Sequence, residues 1–218
     1  MLTMTRSLAA ATVFLVASAA VPAWAGPPLI CHPFEADGGK LIAWGTGSGW
    51  NTPERGYDIK KLVADTNAVL TPDAPILTRM ENMRRATIYA MRDPEIAQQL
   101  LKSVMAKALA TTSDSRAWFD AGYLIESYKQ AGAIRDNGRP ELRAWAAVDE
   151  TIRVDGYNWV KKAMAMTTPS PEMEFAASLM TQNSPQGAAH RAKALAAAPK
   201  GSVLARNLAS SAFMFGER

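Results

Sequence analysis

The sequence predicts an all-α protein in which antiparallel helical hairpins stack as a short α-solenoid-like array behind an irregular Pro- and Gly-rich segment. Three observations lead there. From about residue 57 onward, apolar residues recur at steps of three and four, as in Ile76, Met80, Met83 and Ala90 or Ala97, Leu101, Val104 and Ala108, which is the period of a helix with one buried face. A capping side chain stands directly before a proline at Asp93-Pro94, Ser170-Pro171 and Ser184-Pro185, and a proline in the first helical turn gives up no backbone hydrogen bond. The connections are short, so consecutive helices turn back on one another and each pair buries its faces against the next.

Residues 1–25 read as a cleavable export signal. Arg6 precedes an apolar run over 8–21, Pro22 ends that run, and Ala23-Trp24-Ala25 offers small residues to a peptidase, so cleavage is expected after Ala25. The run is shorter than the about 20 residues a spanning helix needs, and no other stretch is apolar enough to span. The mature chain is therefore expected to be periplasmic or extracellular, without a membrane span.

Residues 26–56 form the irregular segment, with Pro27, Pro28, Pro33 and Pro53 and the glycines from Gly38 to Gly49. One short strand is expected at 40–44, and Trp44 and Trp50 are expected to pin the segment to the helices. Residues 57–218 form the helical domain. Helices are placed at 57–69, 74–92, 94–110, 115–132, 140–154, 157–167, 171–182, 185–198 and 202–214, with Ser113-Asp114 and Gly201-Ser202 as further starts and Asn137-Gly138-Arg139-Pro140 as a turn.

Composition excludes some functions. The 24 basic residues less Arg6, set against 20 acidic ones, leave the mature chain at a net charge of +3. The basic residues form only pairs such as Lys60-Lys61 and Arg84-Arg85, where nucleic-acid modules concentrate them on one face; no nucleic-acid partner is expected. Cys31 is the only cysteine, so the fold has no internal disulfide, and an intermolecular one stays open.

Within 115–132, Trp118, Ala121, Gly122 and Ile125 have the spacing of the first helix of a tetratricopeptide repeat, and Ala194 and Pro199 match the end of its second helix. The chain resembles that family over two partial repeats, although hairpins starting near 74, 115 and 171 do not keep a 34-residue period. The resemblance implies a groove for a protein or peptide, with Trp118 and Tyr123 as partner-facing residues, and no catalytic residue.

The chemistry-bearing residues are few. Cys31, His32, Glu35 and Asp37 make one cluster of ligand types, with Cys31 and His32 the metal candidates and His190 a distant third. Adjacent residues point apart, and Pro33 restrains the turn. A c-type haem needs a second cysteine, Gly45-Thr46-Gly47-Ser48-Gly49 lacks the Lys-Ser/Thr ending of a phosphate loop, and no Gly-x-Ser-x-Gly elbow accompanies the two histidines. Glu126, Asp149, Glu150, Glu172 and Glu174 remain as carboxylates whose convergence only the fold decides. No cofactor is expected. The function expected is an exported, non-enzymatic helical scaffold for a protein or peptide; the alternative is an enzyme or metal-binding protein with its site where residues 31–50 meet the helical body, and a structural envelope component is the third reading.

Overall fold

The computed structural model describes residues 26–47, 49–135, 153–168 and 170–217. Among the described residues the structure is all-helical. A 3₁₀ turn at Ile59–Lys61 leads into α1 (Leu62–Val69), followed by α2 (Ile76–Ala90), α3 (Pro94–Ala110), α4 (Ser115–Arg135), α5 (Gly156–Ala165), α6 (Pro171–Met180), α7 (Pro185–Ala197) and α8 (Val203–Ser210), with a last 3₁₀ turn at Ala212–Phe215. The expected signal at 1–25, the turn at 137–140 and most of the helix at 140–154, with Asp149 and Glu150, lie outside the described residues.

Helix starts sit where the caps put them. Asp93 accepts from the backbone N–H groups of Glu95 and Ile96 at 2.9 and 3.2 Å, and Asp114 does the same for Arg116 and Ala117 at 2.9 and 3.1 Å. Ser170, Ser184 and Ser202 cap α6, α7 and α8, each satisfying a donor that the first turn would leave unpaired. Ends differ more. Helix α4 runs on to Arg135 because Ile134 still reaches the core, and the last predicted helix stops at Ser210, where the chain tightens into a 3₁₀ turn closed by left-handed Gly216.

Helix α2 organises the packing. It contacts α1, α3, α4 and α6, and it buries every residue except Ile76 and Arg85. In a strict one-dimensional stack each pair touches only its neighbour; the contact of α2 with α6 brings the first and third pairs together directly. The largest helix–helix interface joins α4 to α5. Their backbones meet at Gly122 and Gly156, where a Cβ on Gly122 would lie 2.5 Å from the Gly156 carbonyl oxygen. Trp118, Ala121 and Ile125, one turn or less on either side of Gly122, are all buried.

A helix enclosed on nearly all sides is ordinarily apolar throughout, yet α2 buries Thr78, Arg79, Glu81, Asn82, Arg84 and Thr87. Arg79 is satisfied by the chain just before it and by α4. Its Nε donates to the Ala74 carbonyl at 2.9 Å, Nη2 donates to the Thr71 carbonyl, and Nη1 meets Asp120 Oδ2 at 2.5 Å. Burial opposes the charge on Asp120 more strongly than Arg79 supports it, so its pKa is pushed up from 3.8 to about 7.

Two outcomes follow from this packing. Gly122→Ala is expected to lower stability by about 2 kcal/mol or more, through overpacking at a backbone crossing that cannot relax, as read by urea denaturation. Between its unfolded and folded pKa values, Asp120 holds a proton that the unfolded chain has released. Its contribution is thus complete below about pH 4, declines as pH rises to about 7 and is flat above; the urea midpoint is expected to fall across that window, with the slope reduced in Asp120→Asn.

Candidate functional site

Residues 26–44 lie against the helices without regular secondary structure: a turn at 27–31, in which the Pro27 carbonyl accepts from the Ile30 and Cys31 N–H groups at 3.1 and 2.9 Å, leads into a stretch with few backbone partners of its own. Proline at 27, 28 and 33 keeps this stretch out of a helix, and Gly38 and Gly39, at φ +81° and +77°, turn it by a route that favours glycine. Leu29, Ile30, Phe34 and Ile42 are buried. Their main-chain groups therefore need partners, and beyond the Ile30 N–H, which bonds to the Pro27 carbonyl, helix side chains supply them.

The supply is concentrated on α2. Asn82 Oδ1 accepts from the Ile42 N–H and Asn82 Nδ2 donates to the Lys40 carbonyl, both at 2.9 Å. Thr78 donates to the Gly38 carbonyl, Arg85 Nη1 to the Ile42 carbonyl at 2.7 Å, and the Tyr89 hydroxyl to the Ala43 carbonyl at 2.8 Å. Positions 78, 82, 85 and 89 make one stripe at helical spacing, so this stripe does what a neighbouring strand would do. That is why the strand expected at 40–44 does not form: the segment is extended, but its partners are side chains.

Two other helices hold the same segment. Gln130 of α4 accepts from the Leu29 N–H at 2.8 Å, and Asn207 of α8 accepts from the Glu35 N–H and donates to the Glu35 carbonyl, both at 2.9 Å. Asn82 and Asn207 each present a side-chain amide as a substitute peptide bond. The contacts read main chain and carry no preference for particular side chains.

The centre of the arrangement is one buried carboxylate. Glu81 accepts from the Phe34 N–H at 3.0 Å, from Arg84 at 2.8 and 2.9 Å, and from Arg85 at 2.7 Å. Arg84 also donates to the Trp50 carbonyl at 2.8 Å, and both guanidinium groups lie against the Trp44 ring, 5.0 and 5.6 Å from its centre. Trp44 in turn meets Tyr89 edge to face at 5.6 Å. Trp44 and Trp50 thus hold the segment to α2, one by its ring and the other through its carbonyl.

His32 turns its ring toward Phe213 at 5.2 Å, and the Cys31 sulfur lies beside Gly26, where a Cβ on the glycine would come within 2.7 Å of it. Glu35 is committed to Arg206, which holds its carboxyl below the usual range. Among the described residues no group of three or more His, Cys, Asp or Glu is placed to hold a metal ion, so the structure brings no third ligand to Cys31 and His32. Trp118 and Tyr123, the partner-facing candidates, are both in the core. Trp118 packs on Trp159 at 4.6 Å beneath the Lys162 ammonium, and Tyr123 stacks on Phe119 at 5.6 Å; a partner reaches neither ring in this conformation. In the glycine-rich stretch, the Gly45 N–H donates to the Thr52 carbonyl at 3.0 Å.

One constellation was not foreseen. His190 Nδ1 pairs with Glu174 Oε2, and its Nε2 meets the Tyr157 hydroxyl at 2.7 Å, joining α5, α6 and α7 by a carboxylate–imidazole–phenol relay. Its order resembles a nucleophilic triad, but burial, then the charges of Glu174 and Asp155, raise the Tyr157 pKa above its ordinary value. The phenol keeps its proton and is not activated. Sequence separations of 16 and 33 residues hide this relay, and no local motif marks it.

Beside the segment, Pro27, Pro28, Gln130, Ala133 and residues 179–184 enclose a cleft of about 600 Å³. A second, of about 510 Å³, lies between α1, α3 and α4. Neither is lined by the relay.

Asn82→Leu conserves volume but leaves the Ile42 N–H and the Lys40 carbonyl unpaired. A loss of about 2 kcal/mol or more is expected, together with faster tryptic cleavage after Lys40 than in the native chain, and Asn82→Asp, which sets a buried carboxylate oxygen against the Lys40 carbonyl, is expected to lose at least as much. No protein-family model matches this chain, and no curated protein or solved structure is significantly similar to it.

Proposed function

We propose that this protein is an exported, non-enzymatic helical scaffold that binds an extended segment of a partner protein. The observation that supports this most is the way Asn82, Asn207 and Gln130 engage the main chain of residues 29–42. Side-chain amides on helices that hold an extended chain by its backbone are what a peptide-binding groove requires. In this molecule that part of the groove is filled by the protein's own residues.

The partner's place is the continuation of the groove past Pro27, in the 600 Å³ cleft. There the Asn183 amide offers an uncharged donor and acceptor beside Leu179 and Met180, the mixture that suits a main chain with modest apolar side chains. The burial of Trp118, Ala121 and Ile125 around the glycine crossing at Gly122 supports a likeness of α4 to the first helix of a tetratricopeptide repeat. The alternative, an enzyme or metal site at residues 31–50, has less support, since Glu35 is taken by Arg206 and His190 by Glu174 and Tyr157.

Site-specific photocrosslinking in intact cells tests the reading. A crosslinker at Asn183 is expected to capture one partner through a contiguous extended peptide, mapped by mass spectrometry, and to lose it when Ala133→Arg blocks the cleft. Capture at Asn183 no more selective than at exposed Lys102 on α3 would refute it.

A further inference from the structure

The second cleft, about 510 Å³ between α1, α3 and α4, has an incomplete floor. Asp120, with 5% of its surface exposed, lines it and uses Oδ2 for Arg79, while its Oδ1 has no hydrogen-bond donor among the described residues. Asn67 lines it too: Nδ2 donates to Ser103 Oγ at 2.9 Å, which orients the amide, and the buried Oδ1 is likewise without a donor. Buried acceptors without donors are rare and costly. Above about pH 7, where Asp120 is ionised, two of them at one cleft ask for a donor from outside the chain.

The walls ask for the opposite charge. Lys107 and Arg116 line the cleft, and neither makes an ion pair among the described residues, while the Asp114 carboxylate, which also lines it, is engaged as the cap of α4 by the Arg116 and Ala117 N–H groups. A simple anion would meet the acceptors of the floor with nothing to offer them, a simple cation would be repelled by Lys107 and Arg116, and the same two cations disfavour a metal ion. A molecule carrying both a donor cation and a carboxylate answers all four side chains. The volume suits a small molecule of that kind.

We propose that this cleft binds a free α-amino acid, its ammonium group donating to Asp120 and Asn67 and its carboxylate lying between Lys107 and Arg116. The site is independent of the partner-binding cleft beside Pro27, from which it differs in every lining residue. It would give an exported scaffold a small-molecule input.

Isothermal titration of the full chain with each of the common L-amino acids, to about 10 mM, is the test; millimolar affinity is the weakest worth assigning to a small site. At least one is expected to bind saturably, with its deaminated and decarboxylated analogues each roughly tenfold weaker or more, as the loss of one charge-assisted contact demands. Asp120→Asn is expected to weaken binding by a similar factor. Because that residue is buried, the exposed pair Lys107→Glu with Arg116→Glu serves as a second variant, expected to abolish binding with the melting temperature of the unliganded chain unchanged. Absence of saturable binding by every amino acid, or a deaminated acid that binds as tightly as its parent, would overturn the proposal.

Discussion

Glu81 is the side chain on which most of the described structure depends. Its carboxylate is closed off from solvent and is tolerated there only because two guanidinium groups and the Phe34 N–H converge on it. Those arginines are themselves committed, Arg84 to the Trp50 carbonyl and Arg85 to the Ile42 carbonyl. Removing one partner from such a network leaves a buried charge uncompensated, a far larger cost than the net value of the pair. The irregular segment is therefore part of the means by which α2 is allowed to be buried, and α2 is the means by which the segment is held.

This reciprocity accounts for the shape of the packing. Helix α2 has apolar neighbours in α1, α3, α4 and α6, and its polar stripe faces residues 30–50 instead of water. The segment then reaches α8, through Glu35, Asn207 and Arg206. The first and last described parts of the chain are joined across the helices between them, and the assembly is more closed than the repetition of hairpins alone would make it.

The local parts of this structure were legible in the sequence. Caps at Asp93, Ser170 and Ser184 act within three residues of themselves, so the helices they begin could be placed from spacing and residue type. The strand at 40–44 was misplaced because residues in that stretch find partners about 40 positions away, on a helix whose polar residues read as an ordinary wet face. The same blindness applies to Glu81, to Asp120 opposite Arg79, and to the Tyr157–His190–Glu174 relay. Periodicity reports which face is apolar; it does not report which polar residues a second segment will cover. Trp118 and Tyr123 show the converse, since aromatic residues on a helix serve a core and a binding face equally well, and here both went to the core.

The bond between Glu35 and Asn207 spans 172 positions in the chain, and this has a kinetic meaning. Contacts that close so long a loop form late, after local helices and hairpins exist, and such topologies fold slowly. Glu35 cannot reach its final place until the last helix has been made and has docked. During synthesis residues 38–43, which cover the polar stripe of α2, are already made when α2 emerges, so the opening that the nascent protein has and the finished one does not lies around Glu35. Anything that holds the chain unfolded, or that borrows this opening, has the whole of that interval in which to act.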